Sequence, residues 1–206
     1  MKRRGKWLLG GGLLLGLTLA GGARYLLRER ATPEPDYLLV EKEGDFEIRD
    51  YLPMWVAETV CSGSRREAIR AGFRTLADYI FARSHDGDSL PMTAPVIERQ
   101  ASEDHWTVRF VMPEGESVKT LPRPPADVEL RHVEARRIAL VRFSGRPEEY
   151  DLEAEEKRLR EWLGTREEEI LFDTPEYAFF NSPAMPGPLR RNELWFELAL
   201  DPPAAN

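Results

Sequence analysis

Few residues in this chain can ligate a metal or run acid–base chemistry. They are three histidines, His85, His105 and His132, and a single cysteine, Cys61. A structural zinc site needs four ligands, usually in closely spaced pairs, and these scattered residues do not supply them. No Gly-x-Ser-x-Gly elbow occurs, and Cys61-Ser62-Gly63-Ser64 reads as the turn that caps a helix. Neither a P-loop nor a Gly-x-Gly-x-x-Gly fingerprint is present. Cys61 lies in an apolar, strand-like run and is expected as a buried, inert thiol. The histidines are expected at the surface: His85 in the turn after a helix, His105 opening a strand, His132 on an exposed strand face. Triads are recognised by geometry rather than spacing, but nothing here marks one, and the expectation is a protein that is not an enzyme. The pair Arg190-Arg191 can fork onto carboxylates in a bidentate way. Internal pairing with Glu193 competes with that use.

Charge narrows the partners. The chain has 206 residues and a net charge of −7, with 42% hydrophobic and 32% charged residues, which suits one globular domain plus an appendage. Four basic residues and no acids fall in the first 23, leaving 25 basic against 36 acidic residues in the remainder. A domain that acidic repels phosphate backbones, so nucleic-acid binding is not expected.

The elements that must position these residues follow from periodicity. The chain reads as two halves with one plan. The first is strand (about 37–49), strand (55–61), helix (64–83), strand (91–99), strand (105–112). The second is strand (127–134), strand (137–143), helix (147–163), strand (169–180), strand (193–200). Trp106, Val108, Phe110 and Met112 alternate along one strand face, as do Leu194, Phe196, Leu198 and Leu200. Ile69, Phe73, Leu76 and Ile80 recur at helical spacing behind Ser64 and Glu67, a capping box. Leu152, Leu159 and Leu163 mark the second helix, with Pro147 in its first turn and Gly164 at its end. The proline-rich stretch 113–127 is a rigid crossing between halves. The expected fold is α+β: a distorted, largely antiparallel β-barrel or curved sheet from two pseudo-repeated ββαββ halves, with two helices packed outside.

Residues 1–31 read as an address. Trp7–Ala23 is an uncharged run of 17 residues flanked by basic groups. Signal-peptide cores run to about 15 residues and spanning helices start near 17. Six glycines make it a poor water-soluble helix. The expectation is an uncleaved signal-anchor or transmembrane helix over about 7–27. The denser basic cluster before it keeps the N-terminus cytoplasmic and puts the domain on the extracytoplasmic side. Secretion after cleavage is the alternative. Residues 32–36 form a Pro-containing linker, the domain spans 37–201, and 202–206 are a tail.

Several segments, taken in order, resemble the SOUL haem-binding family. They are Tyr37 to Tyr51 (with Gly44-Asp45-Phe46-Glu47-Ile48-Arg49), Met92-Thr93-Ala94-Pro95-Val96, Phe110-Val111-Met112-Pro113, Leu121-Pro122-Arg123-Pro124, Phe143-Ser144-Gly145 and Arg190-Arg191-Asn192-Glu193. They cover roughly Tyr37 to Leu200. Pro95 cannot donate to a ladder, so the strand is expected to bend or lie at an edge there. Tyr177 to Pro188 departs from the family, whose members often carry a Pro- and Trp-rich loop at this place. The resemblance implies a distorted β-barrel flanked by two helices.

It also implies a haem or tetrapyrrole ligand, held non-covalently. Haem needs apolar walls, cations for its propionates and optionally an axial ligand. Wall candidates are Met92, Trp106, Met112, Phe179 and Trp195, with Met54, Trp55, Phe180 and Met185 behind them, and rim candidates are Arg190 and Arg191. No axial residue is assigned. A second hypothesis is a domain that binds or hydrolyses a small hydrophobic ligand, related to effector-binding domains. It expects a buried carboxylate of raised pKa, with Glu193, Glu197 and Glu58 the ones to inspect. A third is a ligand-free interaction module of the cell envelope, marked by an exposed apolar patch.

Overall fold

The computed structural model describes residues 31–146, 152–166 and 168–199, with Tyr25 and Glu29 as isolated positions. The chain falls into two compact units, Met1–Thr32 and Pro33–Asn206. In the first, the Thr32 amide donates to the Glu29 carbonyl at 3.3 Å. The expected anchor over 7–27, Pro147, Leu200 and the tail lie outside the described residues, apart from the single position Tyr25. Among the described residues no helix is long and apolar enough to cross a membrane.

Among its described residues the second unit is one nine-stranded sheet with two α-helices. Its elements are β1 (Tyr37–Glu43), β2 (Phe46–Tyr51), β3 (Met54–Ser62), α1 (Arg65–Ile80), β4 (Val96–Ser102), β5 (His105–Val111), β6 (Glu129–Val133), β7 (Arg136–Phe143), α2 (Leu152–Leu163), β8 (Glu176–Phe179) and β9 (Asn192–Leu198). Strand order is β1-β2-β7-β9-β8-β4-β5-β3-β6, and every pairing is antiparallel. The fold is the expected α+β sheet of two ββαββ halves, with an exchange that periodicity does not reveal. Each half lends to the other the strand that lies second before its helix: β2 pairs with β7 of the second half, and β6 with β3 of the first. The halves meet where β4 pairs with β8, Glu98 opposite Tyr177. The exchanged strands carry matching sequences, Asp45-Phe46-Glu47-Ile48-Arg49 and Asp127-Val128-Glu129-Leu130-Arg131.

Three expected boundaries move. The strand over 37–49 is a hairpin, because Gly44 takes φ 60° and turns the chain between β1 and β2. The strand over 169–180 shrinks to β8, leaving Ile170 in an isolated bridge to Leu198. The strand over 91–99 begins only at Val96, after a cis Ala94–Pro95 bond.

Helix α1 starts after Ser64, but the capping box is incomplete. The Ser64 hydroxyl donates to the Glu67 carboxylate at 2.5 Å instead of accepting from a backbone amide. Its buried side is Ala68, Gly72, Leu76, Tyr79 and Ile80. Ile69 is only half-buried and Phe73 is exposed, so the stripe is rotated from the expected one. Gly72 causes the rotation: a Cβ there would lie 2.7 Å from Val108 Cγ2 of β5, so glycine lets the helix sit directly on the sheet. The helix ends in a Schellman turn, Arg83 N–H to Asp78 O at 2.8 Å and Ala82 N–H to Tyr79 O at 3.1 Å. In α2, Glu153 and Glu155 sit in the first turn and Arg160 in the last, each favoured by the helix dipole.

Both helices cover one face of the sheet. Under α1 lie Val108, Phe110 and Met112; under α2 lie Ala139, Val141, Leu194 and Phe196. Among the described residues no helix packs on the opposite, inner face, yet Ile138, Leu140, Ala178 and Trp195 are buried there. The curl of the sheet and its own charged side chains close that face.

Candidate functional site

Alternation along each strand puts Glu47, Arg49 and Tyr51 of β2 on the inner face, beside Glu193 and Trp195 of β9. Arg49 is fully buried. It donates from Nε to Glu47 at 2.8 Å and from Nη1 to the Tyr51 hydroxyl at 2.9 Å. Its two Nη atoms fork onto Glu193, both at 3.1 Å. Glu193 also accepts from Trp195 Nε1 at 2.8 Å and from Arg191 Nε at 2.9 Å. Burial alone would raise the Glu47 carboxyl, but hydrogen bonds from Lys42 and Arg49 overturn this and hold it below its usual range.

A second network crosses the same face. Arg109 of β5 joins Glu58 of β3 at 2.5 Å to Glu176 of β8 at 2.7 Å. Arg136 of β7 lies 2.8 Å from Glu176 and 3.3 Å from Glu197. Glu176 is deeply buried, which opposes its charge, yet Arg136 and Arg109 hold it ionised and its pKa low. The inspected carboxylates Glu193, Glu197 and Glu58 are therefore members of ion-pair networks. A raised carboxylate exists elsewhere. Burial pushes Glu98 up to about 7, against the pull of Arg65 at 2.7 Å. Glu98 faces the helix side, at the junction of the halves, under an Arg65 guanidinium that also sits over Trp106, Tyr177 and Phe179. Sequence reading missed Glu98; an acidic residue at a buried-strand position between Ile97 and Arg99 was the available signal.

The sequence-derived ligand residues are spread over both faces. Trp106, Met112 and Phe179 lie on the helix side, with Met92 packed against the α1 core. Trp195 lies on the inner face. Arg190 donates to the carbonyls of Met185 at 2.9 Å and Pro183 at 2.5 Å. Arg191 donates from Nη1 to both Glu34 carboxylate oxygens at 2.9 Å, lies over the Phe180 ring and pairs with Glu193. The histidines are far apart in use: His85 bonds the Tyr79 carbonyl, His105 the Ser102 hydroxyl and His132 Glu134. Cys61 is half-buried and its thiol pKa is raised by burial. Among the described residues no group of His, Cys, Asp and Glu converges to hold a metal.

A cavity of about 210 Å³ opens at the ends of β3 and β5. Its floor is Met54, Trp55, Val111 and Met112, and its rim carries Glu34, Asp36, Glu114 and Glu116. Pockets for drug-sized ligands run to roughly 300–1,000 Å³. Haem does not fit here: the volume is too small, and the rim has the charge of the propionates it would have to hold. The ligand residues named from sequence do not share one face: Trp195 lies across the sheet from Met92, Trp106, Met112 and Phe179, and both arginines have internal partners.

The family of SOUL heme-binding proteins matches residues 32–197. No curated protein matches the chain. Solved structures share the fold at low identity. A hydrolase from Listeria innocua is 12% identical with a TM-score of 0.54, over 78% of this chain and 94% of that one. The C-terminal domain of EcmrR is 12% identical with a TM-score of 0.55, over 79% and 98%. An uncharacterized conserved protein from Listeria innocua is 10% identical with a TM-score of 0.51, over 82% and 94%.

Proposed function

The chain belongs to the SOUL heme-binding protein family, and from that premise we propose that it binds haem or a related tetrapyrrole as a carrier, buffer or sensor rather than turning a substrate over. The observation that carries the reading is the family match across nearly the whole second unit. Binding is non-covalent, with no axial ligand assigned. The basic, then apolar, N-terminal pattern supports display at a membrane on its extracytoplasmic side. The test is a haem titration of the full chain in mild detergent, read by Soret absorbance with an albumin-type competitor present. Saturation at one haem per chain that survives the competitor is the expected result. Unsaturable binding that the competitor strips away overturns the proposal.

A second reading, a domain for a small hydrophobic ligand, is favoured by the cavity at the ends of β3 and β5. The hydrolase among the solved structures shares the fold only, and its activity is not carried over.

A further inference from the structure

We infer that the cavity at the ends of β3 and β5 is a binding site for a small organic cation with an apolar or aromatic body. This goes beyond tetrapyrrole binding, and the chemistry it calls for is opposite in charge.

The cavity is built rather than incidental. Hydrogen bonds join its four wall segments: Ala94 N–H to Pro33 O at 2.8 Å, Leu52 N–H to Asp36 O at 3.2 Å, Met112 N–H to Trp55 O at 2.8 Å, and Thr93 Oγ1 to Val111 O at 2.5 Å. Glu34 is held by Arg191 Nη1, which donates to both of its carboxylate oxygens. Walls tied in this way cost little to order when a ligand enters.

Charge selects the ligand. The lining holds four carboxylates and no lysine, arginine or histidine. Arg191 neutralises Glu34. Among the described residues, Asp36, Glu114 and Glu116 make no ion pair with a basic side chain and leave a negative potential over an apolar floor. A bare metal ion is a poor match, because no set of described carboxylates converges closely enough to coordinate one. A diffuse positive charge carried on an apolar body matches both rim and floor. Trp55 adds the ring that best attracts such a charge, and its edge is backed by His132 at 5.2 Å between centroids. The volume of about 210 Å³ limits the ligand to about one ring and a compact cationic head.

The experiment titrates the full chain with benzyltrimethylammonium, with benzyl alcohol as the neutral comparison and benzenesulfonate as the anionic one. Binding is read by calorimetry and by tryptophan fluorescence. The expected result is saturable binding of the cation, at least about tenfold weaker binding of the alcohol, and none of the sulfonate. Glu114→Gln with Glu116→Gln is expected to weaken the cation about tenfold or more at an unchanged melting temperature, since both residues lie in a surface turn. Trp55→Leu tests the floor separately and is expected to weaken it as well. No saturable cation binding, or equal affinity for cation and alcohol, overturns the inference. So does unchanged affinity in the double variant. The haem titration is read in the Soret region and fails or succeeds independently.

Discussion

Arg49 and Glu193, 144 residues apart in the chain, meet as a forked ion pair, 3.1 Å at each contact, with both side chains fully buried. The pair exists because the halves exchange strands: β2 of the first half lies beside β7, and β7 beside β9 of the second. Removing one member of a buried pair strands the other charge, at a cost of about 3–5 kcal/mol. Glu193→Ala is expected to lose that much in denaturant unfolding. Arg49→Met with Glu193→Leu is expected to lose less than Glu193→Ala alone. A single-variant loss below about 1 kcal/mol would mean the pair is not buried as described.

Gly72 is the contact point between α1 and β5. Glycine within a helix ordinarily costs about 1 kcal/mol relative to alanine, so Gly72→Ala on an exposed face would stabilise. Here the added methyl meets Val108 Cγ2 at 2.7 Å, and Val108 is fully buried. Overpacking of this kind costs about 1–3 kcal/mol. Gly72→Ala is expected to lower the unfolding free energy, and a rise would show that the helix stands further off the sheet.

Ala82 occupies the left-handed position of the Schellman turn after α1, at φ 53°. That conformation costs a non-glycine residue about 1–2 kcal/mol, offset in part by glycine's greater freedom when unfolded. Ala82→Gly is therefore expected to stabilise by up to about 1 kcal/mol in thermal or denaturant unfolding. A destabilised variant would place the end of α1 elsewhere.

The fold was legible where one period dominates. Trp106, Val108, Phe110 and Met112 alternate, and all four are buried on the helix side. The strand exchange was not legible, because periodicity reports which face a residue takes and not which strand lies beside it. The repeat from Asp45 to Arg49 and again from Asp127 to Arg131 held that information. Its two copies meet different fates: Glu47 and Arg49 are buried beneath the β1 neighbour, whereas Glu129 and Arg131 stand exposed on the β6 edge. The pairing of Arg191 with Glu193 was legible from their spacing on one strand side. The cavity was not, since its walls come from four segments that meet only in the folded chain.

Glu176 gives the chain sensitivity to acid. Burial opposes its charge, and Arg136 and Arg109 more than compensate, so its folded pKa lies below the usual carboxylate range. A depressed carboxylate contributes stability that is present above its unfolded pKa and is lost as pH falls through the folded one. Glu176→Gln is expected to be the less stable chain at neutral pH, with the deficit shrinking as pH drops below about 4.5. A deficit that stays constant on acidification would show that Glu176 is not held ionised by its arginines.

Glu98 works in the opposite sense. Burial raises its pKa from 4.5 to about 7. Below the lower value both folded and unfolded chains hold the proton. Between the two values the folded chain keeps a proton that the unfolded chain has released, so stability falls as pH rises across this window. Above about 7 the folded chain bears the whole penalty of a buried charge, offset only in part by Arg65. Glutamine at this position cannot ionise, and Arg65, being partly exposed, can turn to water. The unfolding free energy of Glu98→Gln minus that of the parent is therefore expected to rise between about pH 5 and about pH 8, by up to about 3 kcal/mol. Denaturant unfolding of both chains at the two pH values checks it. Parallel pH profiles would mean that Arg65 keeps Glu98 ionised throughout, and that the junction of the halves carries a permanent ion pair instead of a titrating acid.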